Sequence, residues 1–212
     1  MFAYCNNNPA SYEDSSGYSR FPCAVTIAEA LGGGFGYPLT SDIADTPAEQ
    51  VYGVINGQEN LPYANDRIGL GSYGKSGCAF IAVYNAMQLI GKPQSLHSVT
   101  SEVFLYHGTV CFGAGGVGPW SIKSYFMAHG VETEGSFSAA ELTQDISEGD
   151  VIVFTVWNDK TITGGWHAMT ALYTNGRYLV FNQYNDSTTY VPFSSLEDVY
   201  SRGVWIYGIR IR

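Results

Sequence analysis

Cys78 opens an apolar run, Cys78-Ala-Phe-Ile-Ala-Val-Tyr-Asn-Ala-Met87. If that run is a helix, unpaired N–H groups and the positive end of the dipole lie against the sulfur and favour a thiolate. A thiol with a lowered pKa becomes a nucleophile when an imidazole stands beside it. His167 is the candidate base. It follows Thr163-Gly-Gly-Trp166, where Gly165 allows close backbone approach and Trp166 offers a flat apolar shield over the ring. Asn182 stands at the far end of a strand that returns toward His167, and an amide there can fix the imidazole tautomer. Asn185 and Asp186 compete with it for that role.

These side chains need a helix and a hairpin to meet. Residues Gly77 to Ile90 are apolar nearly all round, the pattern of a helix buried at a domain centre, with Gly91 and Pro93 to end it. A second helix is expected over 95–107. A third is expected from Pro119 to His129, with Pro at its start and Gly130 past its end. Val151 to Trp157 reads as a buried strand, and Val204 to Ile211 as a closing strand. Strands over 167–174 and 177–183 flank Asn175-Gly176, a two-residue hairpin signal that makes residues near His167 and Asn182 neighbours. Ser138-Ala-Ala-Glu141 and Ser194-Ser-Leu-Glu197 are capping boxes for two minor helices. Helices first and antiparallel strands after indicate an α+β fold.

The 212 residues suit one domain with an appendage. Residues 1–60 are rich in Asn, Ser, Gly and Pro and read as an extension or pro-segment on a catalytic domain of residues 61–212. Within them Val25 to Leu31 is a candidate short helix, and Gly32 to Gly34 a flexible turn. Cys5 and Cys23 would form a disulfide only in an oxidising compartment, and Cys111 reads as a buried or structural residue. With no close CxxC pair and no metal-ligand spacing for His97, His107 or His129, no metal is expected. A net charge of −9 argues against nucleic acid and anionic membrane surfaces as partners. No stretch is long and apolar enough to span a bilayer. The N-terminus lacks the basic start and apolar run of a signal peptide, so either none is used or the chain begins after one. Compartment and oligomeric state stay open.

Cys78 to Met87, Gly164-Gly-Trp-His-Ala-Met169 and the hairpin ending at Asn182 resemble bacterial papain-like peptidases, in particular the double-glycine, bacteriocin-processing family and its broader relatives. Gly118-Pro-Trp-Ser-Ile-Lys-Ser-Tyr-Phe126 also resembles an element of that family. The resemblance covers roughly residues 62–185. It implies a papain-like fold, with a central buried helix carrying Cys78 packed on an antiparallel sheet carrying His167 and Asn182. It further implies a Cys-His-Asn catalytic set, no cofactor, and cleavage of peptide or protein substrates at amide bonds. Tyr73, Gly165 and Trp166 are the substrate-binding candidates. The family places a Gln shortly before its Cys as an oxyanion donor. Here Ser72 stands six residues before Cys78, and Asn65 or Asp66 occupies the related Pro-Tyr stretch. An ionised Asp cannot donate. Ser72, Asn65, Asp66 and the Cys78 main-chain N–H therefore remain the donor candidates. With that Gln missing, acyl transfer to an amine or thiol and a catalytically silent binding module remain alternatives to hydrolysis.

Gly69-Leu-Gly-Ser-Tyr-Gly-Lys75-Ser76 satisfies the Walker A pattern. A P-loop, however, follows a buried parallel strand, and Leu61-Pro-Tyr-Ala-Asn-Asp-Arg-Ile68 is a poor one. Nucleotide binding through 69–76 is the minor alternative. Under the papain-like reading these glycines shape a loop before the nucleophile, Ser76 caps the helix, and Lys75 adds positive charge near the thiol.

Overall fold

The computed structural model describes residues 53–113, 115–158, 165–185, 191–200 and 203–212. The expected helix over Val25 to Leu31, the Cys5–Cys23 pairing, the Gly32 to Gly34 turn and Asp186 lie outside the described residues.

After a 3₁₀ turn at Gln58–Asn60 come β1 (Arg67–Ile68) and β2 (Gly71–Ser72), then the short helix α1 (Tyr73–Ser76) and the long helix α2 (Cys78–Leu89). Helix α3 (Leu96–Glu102) runs on into a π turn at Val103–His107, and α4 spans Pro119–Ala128. Strand β3 (Thr133–Ser136) and helix α5 (Ala139–Thr143) lead to β4 (Val151–Trp157), β5 (Trp166–Thr174) and β6 (Arg177–Phe181). Strand β7 (Val191–Phe193), helix α6 (Leu196–Val199) and β8 (Val204–Ile211) complete the described chain.

The main sheet has six strands in the order β3-β8-β4-β5-β6-β7, every neighbouring pair antiparallel. Strand β4 lies inside it and is buried on both faces, which is why it reads as an unbroken apolar run. Val151 and Val153 face α2, whereas Ile152, Phe154 and Val156 face the side covered by Leu142 of α5 and Leu196 of α6. On that second side Trp205 stacks on Phe154, ring centroids 5.3 Å apart. Helix α2 is buried from Cys78 to Met87 and packs on the first face. Thr170 of β5 donates to the Ala82 carbonyl (2.8 Å), fixing the sheet against the middle of α2. Arg210 of β8, 2% exposed, donates to Asp150 (2.8 Å through Nε) and to the carbonyls of Gln144 and Asp145, so its charge is buried but paired.

The helices expected at 77–90 and 119–129, most of that expected at 95–107, and the strands expected at 151–157, 167–174, 177–183 and 204–211 are present, with bounds shifted by a residue or two. Asn175 and Gly176 take φ of 51° and 72°, the left-handed pair that a tight hairpin requires. Ser138 caps α5 by accepting from Glu141 N–H. The second capping box sits one residue later than expected: Ser195, not Ser194, caps α6 by accepting from Asp198. Strands β3, β7 and the β1–β2 hairpin were not legible, being two to four residues long.

The Walker pattern spans an antiparallel hairpin followed by a four-residue helix, not a parallel strand and a P-loop. Its glycines serve close packing: a side chain at Gly69 or Gly71 would meet the carbonyls of Phe112 or Gly113 at 2.2 and 2.5 Å. Residues just ahead of the expected boundary at 60 pack against the sheet and helices. Val54, Ile55, Asn56 and Gln58 are buried in the body of the domain, and the 54–58 strap is clasped by Asn85 of α2. Asn85 accepts from Ile55 N–H (2.7 Å) and donates to the Ile55 carbonyl (2.9 Å).

Candidate active site

Helix α2 begins at Cys78. Its N-cap is Gly77, which carries no side chain to cap the first turn, so Ser76 is not the cap. Glycine is required at 77 by close approach, since a Cβ there would lie 2.3 Å from the Tyr73 carbonyl oxygen. That tight junction lets α1 run into α2 and aims the uncapped N–H groups at the sulfur. Strand β5 brings His167 to the same point, and the hairpin returns β6 so that Asn182 follows directly after it.

Cys78 and His167 are both buried and hydrogen-bonded to each other. Burial alone would push the Cys78 thiol up. The adjacent His167 imidazole, with main-chain N–H groups of Ala168 and Ala79, reverses this and holds the thiol below its ordinary value. Burial likewise would lower His167, but the Cys78 sulfur and the main-chain carbonyls of Asn182 and Gln183 carry it above its ordinary value. Both directions have one cause, each group favouring the charged form of the other.

His167 Nε2 lies 2.6 Å from the main-chain carbonyl oxygen of Asn182. A carbonyl only accepts, so Nε2 carries a proton and Nδ1 is left for the thiol. The expected partner residue is therefore present, but its peptide oxygen, not its side-chain amide, holds the ring. The amide is engaged elsewhere, donating to Gln58 Oε1 (3.0 Å) and accepting from Gln58 N–H (3.3 Å). Asn182 takes φ 57°, and its N–H donates to Asn56 Oδ1 (2.6 Å). Asn185 contributes its carbonyl to Glu59 N–H (2.8 Å) and holds the same loop to the strap.

The other candidates fall differently. Tyr73 is buried, donates to Thr100 Oγ1 (3.0 Å), and has its phenol pushed up to about 12 by burial. It is a packing residue, not a substrate contact. Trp166 is 47% exposed at the start of β5, beside Gly165, whose Cα faces open space. These two remain candidates for a substrate surface next to His167. Asn65 is exposed, while Asp66 and Ser72 are half-buried. None of the three, nor Lys75, is among the groups acting on the thiol or the imidazole. Cys111 is exposed, with φ 49°, contrary to the buried role expected for it. His129 caps the end of α4 and pairs with Glu102 (2.9 Å), whereas His107 bonds Ser124 Oγ (2.9 Å).

Sequence reasoning missed Asn56 and Gln58, which touch Asn182 from the segment read as an extension. Gln58 also donates through Nε2 to the Gly74 carbonyl (2.9 Å). Gln58 precedes the Leu61-Pro-Tyr stretch by three residues, and a lone Gln in a polar segment carries no pattern that would mark it. Gln183 places a buried Oε1 that has no hydrogen-bond partner among the described residues.

No family model and no curated protein matches the chain. Among solved structures it is similar to the peptidase domain of Streptococcus ComA, a bifunctional ABC transporter involved in a quorum-sensing pathway. The TM-score is 0.46 and the identity 16%, over 64% of this chain and 90% of that one. The chain itself is α+β, a buried helix carrying the cysteine against an antiparallel sheet carrying the histidine. Among the described residues no helix is long and apolar enough to cross a membrane, and no group of three acidic, His or Cys side chains could hold a metal ion.

Proposed function

We propose that this protein is a cysteine peptidase or closely related thiol amidohydrolase, acting on peptide or protein substrates. The observation that carries the reading is the Cys78–His167 pair: a thiol held below its ordinary pKa at an uncapped helix start, against an imidazole held above its own. Cys78 attacks an amide carbonyl, and His167 protonates the leaving amine. Water, deprotonated by the same imidazole, then releases the acyl group from sulfur. The Asn182 carbonyl keeps Nε2 protonated and Nδ1 turned to sulfur throughout. The developing oxyanion is served by main-chain N–H at the start of α2. Gly165 and Trp166 border the substrate path.

The test is the pH dependence of Cys78 alkylation by iodoacetamide, read by intact mass, with cleavage of a peptide library assayed in parallel. Because the thiol is depressed, labelling persists below pH 8 and declines only as pH falls through the lowered pKa. His167→Ala removes the first cause of that lowering and leaves the burial that raises it, so its profile moves up to or beyond that of an ordinary thiol. Cys78→Ser removes the rapid labelling at low pH, leaving only the ordinary labelling of other cysteines such as the exposed Cys111, and abolishes cleavage. An ordinary profile in the wild type, indifferent to His167, would sink the proposal.

A further inference from the structure

Gln58 is 1% exposed, and every polar atom of its side chain and its own N–H is engaged. A buried amide loses solvation and rotamer freedom that an apolar side chain of similar size would not, so it persists where its direction matters. The directions here are fixed without ambiguity. The Gly74 carbonyl only accepts, so the Gln58 NH₂ faces it (2.9 Å). Oε1 therefore faces Asn182, whose NH₂ must meet it (3.0 Å), and Asn182 Oδ1 is turned to Gln58 N–H (3.3 Å).

These bonds end on the two limbs of the site. Gly74 lies in α1, the turn that leads through Gly77 into Cys78. Asn182 presents the carbonyl that holds His167 Nε2. We infer that Gln58 is a positioning residue of the Cys78–His167 site, its amide tying the Asn182 loop that orients His167 to the α1 turn that delivers Cys78. This rests on the proposed thiol chemistry. Gln58 touches neither reacting atom and acts through Asn182 and Gly74. Asn56 acts beside it by accepting from Asn182 N–H (2.6 Å). The strap that carries both is anchored to α2 by Asn85, so one short segment spans nucleophile helix, entry turn and histidine loop.

The experiment compares alkylation pH profiles of the full chain as wild type, Gln58→Met, Gln58→Glu, Asn182→Gly and Gln58→Met/Asn182→Gly, with thermal midpoints alongside. Gln58→Met removes both amide contacts; Gln58→Glu keeps an acceptor for Asn182 but cannot donate to Gly74. Each is expected to raise the apparent thiolate pKa by about one unit. Labelling at a pH well below the wild-type midpoint then falls roughly tenfold, while the alkaline plateau stays within about twofold. A purely structural Gln58 would lower the thermal midpoint and leave the profile in place. The double variant is expected to lose no more than the worse single variant, because the two side chains act as one unit. Profiles of both Gln58 variants that superimpose on the wild type, or failure of both to fold, overturn the positioning role alone. A wild-type profile of an ordinary thiol, unmoved by His167→Ala, overturns the thiol reading and this role with it.

Discussion

Replacing Asn182 by Gly and by Ala separates two ways in which an asparagine can serve a catalytic histidine. If its side-chain amide held the ring, both variants would lose the contact and behave alike. The contact is instead the main-chain carbonyl, 2.6 Å from His167 Nε2, and both variants retain a carbonyl. What differs is the backbone. Asn182 sits at φ 57°, where asparagine is tolerated and glycine is free, whereas alanine there costs about 1–2 kcal/mol. Alanine can relieve that strain only by turning the 182 peptide, which swings the carbonyl away from Nε2. Asn182→Gly loses the two amide contacts to Gln58, so labelling of Cys78 at a pH well below its wild-type midpoint should fall about tenfold, the same step expected for losing Gln58. If the strain is expressed at the carbonyl, Asn182→Ala falls a further ~5- to 30-fold, since every 1.4 kcal/mol is about tenfold. The assay is iodoacetamide labelling across pH, with thermal denaturation to confirm that each variant is folded at the assay temperature. Equal loss in the two variants, or a glycine variant less reactive than the alanine one, would refute the carbonyl's role.

Two further substitutions test what supports the site. Asn85→Ala leaves the buried N–H and carbonyl of Ile55 without their partners and should destabilise the protein by about 2–4 kcal/mol. Differential scanning calorimetry should show this as a fall of roughly 5–15 °C in Tm, and a change under about 2 °C would mean the strap is not held as described. Arg210→Met strands the Asp150 carboxylate beneath the sheet and should cost about 3–5 kcal/mol in urea unfolding. Adding Asp150→Asn should recover part of that loss, and a neutral single variant would contradict the buried pair.

The sequence made the long elements legible because burial writes itself into composition. Helix α2 is apolar all round since it is covered all round, and β4 is an unbroken apolar run since both faces of it are covered. The Asn175-Gly176 turn was readable because few residues adopt its left-handed pair. Strands β1, β2 and β7 were not readable, since two or three residues establish no period. The Walker pattern is ambiguous in sequence for a related reason. Glycines that let one backbone pass within contact of another look the same in sequence as glycines that cradle a phosphate, and only the Phe112 and Gly113 carbonyls beside them tell the two apart.

At the site itself, the readable residues were those with side chains of reactive type, Cys78 and His167. Cys78 and His167 declare themselves because a thiol at a helix start and an imidazole on a hairpin have few other uses in combination. The apparatus that orients them is written mostly in backbone: the Asn182 carbonyl, the Ala168 and Ala79 N–H groups, the Gly74 carbonyl. Every residue owns those atoms, so no residue type can signal them. Side chains re-enter only where they hold the backbone in place, as Gln58, Asn56 and Asn85 do, and there they are ordinary amides in a segment of weak periodicity. A reading that asks which side chains touch the histidine assigns Asn182 the right position for the wrong atom. It overlooks Gln58 altogether, because the amide that matters is one bond network removed from the ring. Positioning by a strapped backbone makes the site depend on residues 54–58 being packed against α2. The chemistry of Cys78 is thereby coupled to whether that segment is seated.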